Sequence, residues 1–94
     1  MKKKKYTKYN TDVQFYKEIP VRLIVYTEEH FARLNAKRFT INHTSQNIWI
    51  PNSYLEPDGT IKLDADIDFI FKQAYLQKKL KYANIHINPF DWTT

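Results

Sequence analysis

Apolar residues near the start of the chain alternate in a way that predicts extended structure. Residues 12–19 (DVQFYKEI) and 20–27 (PVRLIVYT) both favour strands, and apolar residues recur at alternate positions from Val21 to Val25. Since the other face of 20–27 is also largely apolar, that segment is typical of a central strand. Pro20 has no N–H to give to a ladder, so we expect it to interrupt the pairing of the two segments or to lie at an edge.

The middle of the chain predicts a helix, a hairpin and a turn. Residues 27–37 (TEEHFARLNAK) favour a first helix, because a threonine suits the N-cap and two glutamates follow it at the positive end. The alternating segments 39–41 and 48–50 flank a polar run, HTSQ, which predicts a hairpin with a loop of four or five residues. In the next segment, Pro57 suits the second position of a β-turn and Gly59, the single glycine, suits the fourth.

Residues 61–69 fit two structures. Apolar residues and charged residues alternate strictly there, as in a strand, but aspartate is rare in strands and helix-forming residues follow. We favour a helix from about Ala65 to Tyr82 with Asp64 as its N-cap. Such a helix has apolar residues on two nearly opposite faces, which implies burial on two sides, within the fold or against a partner. Residues 84–90 (NIHINPF) predict a last short strand.

The order of these elements predicts an α+β fold. From residue 20 the order is β-α-β-β-α-β, which matches the ferredoxin-like plan, with an extra N-terminal extended segment. We expect one small domain over residues 11–94, preceded by a disordered basic arm over residues 1–10. The residues expected in the core are Leu23, Val25, Ile41, Ile50, Ile70 and Phe71.

Charge is concentrated in the predicted arm. The net charge of the 94 residues is +5, and the arm contains five lysines and no acidic residue, which leaves equal numbers of basic and acidic side chains in residues 11–94. There is no cysteine, and no apolar run approaches the roughly 20 residues needed to cross a membrane. We therefore expect a cytoplasmic protein with no membrane association.

The sequence does not contain the common motifs of catalysis or cofactor binding. One glycine is too few for a Gly-rich phosphate loop. Asp64, Asp66 and Asp68 have the spacing of a calcium loop, but the glycine and the final glutamate of that loop are missing. The three histidines are far apart in the sequence, so no zinc ligand set is evident. We expect no enzymatic activity, no metal and no cofactor.

One part of the chain resembles a known group of proteins. Residues 46–63 (QNIWIPNSYLEPDGTIKL) and 68–83 (DFIFKQAYLQKKLKYA) look like the small uncharacterised proteins of phages and mobile elements in Gram-positive bacteria. The resemblance covers about residues 39–83 and assigns no functional residue. It implies a non-catalytic modulator of host or phage machinery, such as an anti-CRISPR or another anti-defence inhibitor.

Two functional hypotheses follow. In the first, the arm binds a nucleic acid or a nucleoprotein complex, because consecutive lysines follow phosphates and tyrosines stack on unpaired bases. This binding is expected to be weak and non-specific, and its residues are Lys2, Lys3, Lys4, Lys5, Tyr6, Lys8 and Tyr9. In the second, the protein is an inhibitor or adaptor that binds a host protein, or a second copy of itself, through its folded surface. The residues predicted for that surface are Trp49, Phe69, Leu76 and Leu80.

Overall fold

Four antiparallel strands form the sheet at the centre of the fold. The structure is a computed structural model that describes residues 8–26 and 34–92. The strands lie in the order β1-β2-β3-β4, and each pairs antiparallel with its neighbour. Their bounds are Gln14–Tyr16 (β1), Ile19–Leu23 (β2), Ala36–Ile41 (β3) and Asn47–Pro51 (β4).

The first hairpin closes through two residues with positive φ. Lys17 and Glu18 have φ of 45° and 73°, the conformation of a two-residue turn that matches the twist of the strands. Pro20 lies within β2 opposite Phe15, and its carbonyl accepts a hydrogen bond of 2.9 Å from the Asn42 N–H. The expectation that Pro20 interrupts the pairing or lies at an edge was therefore wrong.

The second hairpin is confirmed, and it begins earlier than the sequence predicted. β3 and β4 are joined by residues 42–46, and the Ile41 N–H donates to the Gln46 carbonyl at 2.8 Å. The predicted helix over 27–37 lies outside the described residues from 27 to 33, and its last two positions, Ala36 and Lys37, belong to β3. Side chains along β3 are buried at every second position, as in a strand and not as in a helix. Lys37 lies on the buried face of this strand together with Phe39.

The predicted turn around the single glycine is also present. The Gly59 N–H donates to the Glu56 carbonyl at 2.9 Å, and Leu55 forms a bridge with Ile61. Gly59 has a φ of +91°, and a Cβ at this position would lie 2.6 Å from Leu23 Cδ2. A side chain does not fit here, because the backbone is left-handed and the space already belongs to the core.

Two short helices cover the sheet in place of one long helix. α1 spans Asp68–Leu76 and α2 spans Lys79–Tyr82. Lys78, which separates them, has a left-handed backbone with a φ of 63°. The side chains of α2 therefore do not continue the helical repeat of α1. The predicted start at Ala65 was three residues early, because residues 61–64 form the bridge at Ile61 and a turn.

The predicted strand at the end of the chain does not form. Asn84 is left-handed, with a φ of 62°, and no regular element follows until a 3-10 turn at Pro89–Asp91. Ile85 and Ile87 pack against the core without pairing to a strand. The fold is therefore α+β, but the ferredoxin-like order is not confirmed: the described strands form a simple meander with no strand after α2.

The core lies between one face of the sheet and the helices. Phe39 from β3 and Phe71 from α1 are its largest fully buried side chains, and Ile19, Ile41, Ile50 and Ile67 fill the space between. Of the residues predicted for the core, Leu23, Ile41, Ile50, Ile70 and Phe71 are buried, whereas Val25 is half-buried against it. Within the described ranges no helix has the length and apolar character to cross a membrane.

The described part of the chain begins within the predicted arm. Residues 1–7 lie outside the described residues, and Lys8 is exposed. Tyr9 packs half-buried against the core, and the Asn10 N–H donates to the Asp58 carbonyl at 2.8 Å. Tyr9 and Asn10, which the sequence assigned to the arm, therefore contact the folded domain.

Candidate partner-binding groove

An open, mostly apolar groove of about 370 Å³ lies between the edge strand β4 and the helices. We call it the docking groove. Its walls come from one strand and two helices, so the packing of α1 against the sheet fixes its width. The lining residues are Ile48, Trp49, Phe69, Ile70, Gln73, Ala74, Gln77 and Lys79.

The docking groove has a buried floor and an exposed rim. Ile48, Ile70 and Ala74 are buried and form part of the core. Trp49 and Phe69 leave 46% and 54% of their surfaces exposed. Large aromatic side chains at this exposure, beside an apolar floor, are typical of surfaces that bind another molecule.

The structure separates the four residues predicted for partner binding. Trp49 and Phe69 both line the docking groove, and Leu76, which is 65% exposed, lies two turns along α1 from Phe69. Leu80 is fully buried, so its assignment to the surface was wrong. The reason is the left-handed Lys78, which turns α2 so that Leu80 points into the core and not along the stripe of Phe69 and Leu76.

The backbone of β4 adds polar groups to this side of the molecule. β4 has one strand neighbour, β3, within the described residues. The Ile41 N–H donates to the Gln46 carbonyl and the Asn52 N–H donates to the Asn35 carbonyl. The backbone N–H and carbonyl groups of the even-numbered residues of β4 therefore point toward β3. In an antiparallel pair these directions alternate, so Asn47 and Trp49 direct their N–H groups to the open edge, and Pro51 has no N–H to offer there.

The Gln14 side chain ties a turn to β1 at the other end of the sheet. It donates from Nε2 to the Gly59 carbonyl at 3.2 Å and accepts from the Ile61 N–H at 2.8 Å. These two bonds hold residues 59–61 beside the start of β1.

A buried carboxylate holds the start of α1 in place, and no pattern in the sequence predicted its role. Asp68 is 5% exposed and accepts a hydrogen bond from the Tyr16 hydroxyl, which in turn accepts from the Ile67 N–H at 3.1 Å. Lys17 Nζ lies 2.9 Å from both carboxylate oxygens and 4.9 Å from the centre of the Trp92 ring. Together these contacts tie α1 to the first hairpin, although Asp68 alone suggested only a favourable charge at a helix start.

The protonation of this cluster follows from its contacts. Burial acts to raise the pKa of Asp68, but the hydrogen bonds from Tyr16 and Lys17 outweigh it, so the pKa lies below its usual value. Burial and the Asp68 carboxylate raise the pKa of Tyr16 well above its usual value. The cluster is thus an ionised carboxylate held by a neutral phenol and a lysine, an arrangement that stabilises the fold.

Other titratable groups in the described residues do not converge on a site. His43 and His86 are exposed on different elements. Lys37 is buried and donates to Asn52 Oδ1 at 2.9 Å, and burial lowers its pKa. Among residues 8–26 and 34–92 no three histidine, aspartate or glutamate side chains are grouped to hold a metal ion.

Comparison of the chain with protein-family models, with curated proteins and with solved structures finds no match.

Proposed function

We propose that this is a non-catalytic binding protein whose docking groove receives an extended segment of a protein partner. The observation that carries the proposal is an apolar groove beside the open edge of β4, whose lining includes two half-exposed aromatic residues, Trp49 and Phe69. Exposure of such apolar surface to water is unfavourable in free energy, and a partner that covers the surface removes this penalty. This is the second of the two hypotheses drawn from the sequence, an inhibitor or adaptor that acts through its folded surface.

The open edge of β4 determines the form of the partner segment. The N–H groups of Asn47 and Trp49 and the carbonyls beside them are positioned to pair with an added strand. In an added strand every second side chain points to the same face, so one side chain would enter the docking groove while the backbone pairs with β4. Pro51 limits this pairing to a short segment.

The lining of the docking groove determines the chemistry of that segment. Ile48, Ile70 and Ala74 favour a large apolar side chain. Lys79 lies at one end, the exposed Lys78 precedes it, and no carboxylate is among the lining residues. An acidic residue close to the apolar one therefore complements the charge of the groove.

A displayed library of random peptides tests this proposal. Selection should enrich short peptides with an aromatic or aliphatic residue near an acidic one. Trp49→Ala should weaken their binding about 30-fold, as for a hot-spot aromatic residue, and Phe69→Ala should weaken it by a similar order. Phe15→Ala is the matched control, because Phe15 is 70% exposed on β1, away from the groove, and its loss should leave the affinity unchanged. Isothermal titration calorimetry measures each affinity.

Hydrogen exchange locates the bound peptide. The amides of Asn47 and Trp49 should exchange more slowly in the complex, because they become donors to the added strand. The proposal is refuted if enriched peptides bind the Trp49→Ala, Phe69→Ala double variant as tightly as the wild type. Concentration-dependent sedimentation that Trp49→Ala abolishes would instead identify a second copy of the chain as the occupant.

Engagement of a nucleic acid or nucleoprotein complex through the arm is a second candidate function. It is favoured by the exposed Lys8, the one arm lysine that the structure describes, which continues the run of Lys2 to Lys5. Removal of residues 2–7 keeps Tyr9 in its place against the core and takes away four lysines. The slope of log affinity against log salt on single-stranded oligonucleotides should then fall by about 2.8, because each lost phosphate contact contributes about 0.7. An unchanged slope would exclude the arm from binding.

A further inference from the structure

A second surface of the helices carries exposed aromatic residues and lysines. α1 and α2, with the segment that follows them to residue 90, have no acidic residue after Asp68, and two of their four lysines, Lys72 and Lys81, lie away from the docking groove. The five acidic residues between 56 and 68 precede this stretch in the chain. Residues 11–94 have no net charge, but their acidic side chains are concentrated in residues 56–68 and the helices that follow are basic. We call this surface the helical basic face, and its residues are Lys72, Tyr75, Lys81, Tyr82, His86 and Phe90.

Tyr75 and Phe90 of the helical basic face lie close together, and its aromatic residues reach solvent. Tyr75 and Phe90 meet edge to face, with ring centres 5.9 Å apart, and Lys72 Nζ lies 5.6 Å from the centre of the Phe90 ring. Phe90 is 48% exposed and Tyr82 is 61% exposed. A lysine held over an aromatic ring presents charge and a flat apolar surface at the same place.

An open cleft of about 390 Å³ continues this surface. Tyr75 forms one wall, Lys81 and His86 contribute polar groups, and Ile85 and Ile87 give an apolar base. The cleft is lined by no carboxylate. Asp91, beside Phe90, is the one acidic residue in the chain after Asp68, so the charge of the surface remains positive.

We propose that the helical basic face binds single-stranded nucleic acid, with bases stacked on Tyr82 and Phe90 and phosphates held by Lys72 and Lys81. Alternating lysines and exposed rings suit a strand whose bases are unpaired, because each base has a flat face and each linkage has one negative charge. A duplex hides the base faces and uses only the lysines. This site is separate from the docking groove and does not require the arm.

A labelled oligothymidylate of about 15 nucleotides, within the range that one small binding fold covers, is the probe. Fluorescence anisotropy at low salt should show binding by the protein without residues 2–7. Tyr82→Ala and Phe90→Ala should each weaken it about 5- to 150-fold, the loss of one stacked base. Phe15→Ala removes a ring that is 70% exposed on β1, more than either of these, and should change nothing. Lys81→Gln should lower the salt slope by about 0.7.

Lys62→Gln is the matched charge control. The substitution removes the same charge as Lys81→Gln, but Lys62 lies within the acidic segment of residues 56–68. The proposal is overturned if Lys62→Gln lowers the slope as much as Lys81→Gln, or if Tyr82→Ala and Phe90→Ala leave the affinity unchanged. It is also overturned if removal of residues 2–7 abolishes binding, which would leave the arm alone as the nucleic-acid site. Equal affinity for polyglutamate would show a surface for any polyanion and reject stacking on bases.

Discussion

Truncation of Leu80 to alanine is expected to lower the free energy of unfolding by about 2–5 kcal/mol, the usual cost of removing a fully buried leucine side chain. Leu80 has no exposed surface and belongs to the core, although it was predicted to lie on the partner-binding surface. The loss would be a large part of the 5–15 kcal/mol that stabilises a typical domain. Urea denaturation followed by circular dichroism measures it.

Leu76→Ala is the matched control for that experiment. Leu76 is the same residue type, four positions earlier, and is 65% exposed on α1. Its truncation should change the free energy of unfolding by no more than about 0.5 kcal/mol, as for most surface substitutions. Equal losses in the two variants would show that the helix continues through Lys78 and that both leucines lie on one stripe.

Replacement of Asp68 by asparagine is expected to cost about 2–4 kcal/mol of stability at neutral pH. The buried carboxylate would lose its charge-assisted hydrogen bonds with Tyr16 and Lys17. The loss should stay below that of a fully enclosed ion pair, because the Lys17 side chain is 41% exposed and can turn to water. Asp66→Asn, two residues earlier and exposed, is the control and should have little effect.

The same cluster makes stability depend on pH in a known direction. The pKa of Asp68 is lower in the folded chain than in the unfolded chain, so the unfolded chain binds the proton first. The contribution of Asp68 is complete above its ordinary pKa of about 4 and is lost as the pH falls through the lowered folded pKa. Thermal denaturation between neutral and acidic pH should show this fall in the wild type.

Asp58 also has a lowered pKa, so the contribution of Asp68 is measured as the difference between the pH profiles of the wild type and the Asp68→Asn variant. The Thr60 N–H donates to the Asp58 carboxylate at 2.9 Å and lowers its pKa, so Asp58 contributes in the same pH window. The Asp68→Asn variant should keep the Asp58 contribution and lose the rest, which gives a shallower decline in acid. Parallel pH profiles for the wild type and Asp68→Asn would show that the cluster carries no ionised group of lowered pKa.

The parts of the fold that the sequence predicted correctly are those with explicit local signals. The hairpin of β3 and β4 has apolar residues at alternate positions, and the turn at Gly59 has a proline and a glycine at the required positions. The helix break at Lys78 and the turn at Lys17 and Glu18 have no such signal. With one glycine in the chain, most left-handed positions are occupied by other residues: asparagine and histidine, which adopt this conformation more often than most, and lysine and glutamate, which do not favour it and so give no signal at Lys17, Glu18 and Lys78.

The candidate site was predicted in part for the same reason. Trp49, Phe69 and Leu76 are exposed, as a surface role requires, because their positions depend only on the phase of one strand and one helix. The burial of Leu80 depends on the break between the helices. The Asp68 cluster joins residues about fifty positions apart, and the position of Phe69 and Trp49 beside one groove depends on tertiary packing. No periodicity in a single segment contains either of these long-range contacts.

The open edge of β4 has a consequence for assembly. Among the described strands β4 has one neighbour, β3, so its other edge can pair with a second copy of the chain. Two copies joined antiparallel through β4 would be related by a twofold axis, and each would use the backbone groups that an added partner strand requires. Self-association through β4 and the binding of a partner strand therefore exclude each other.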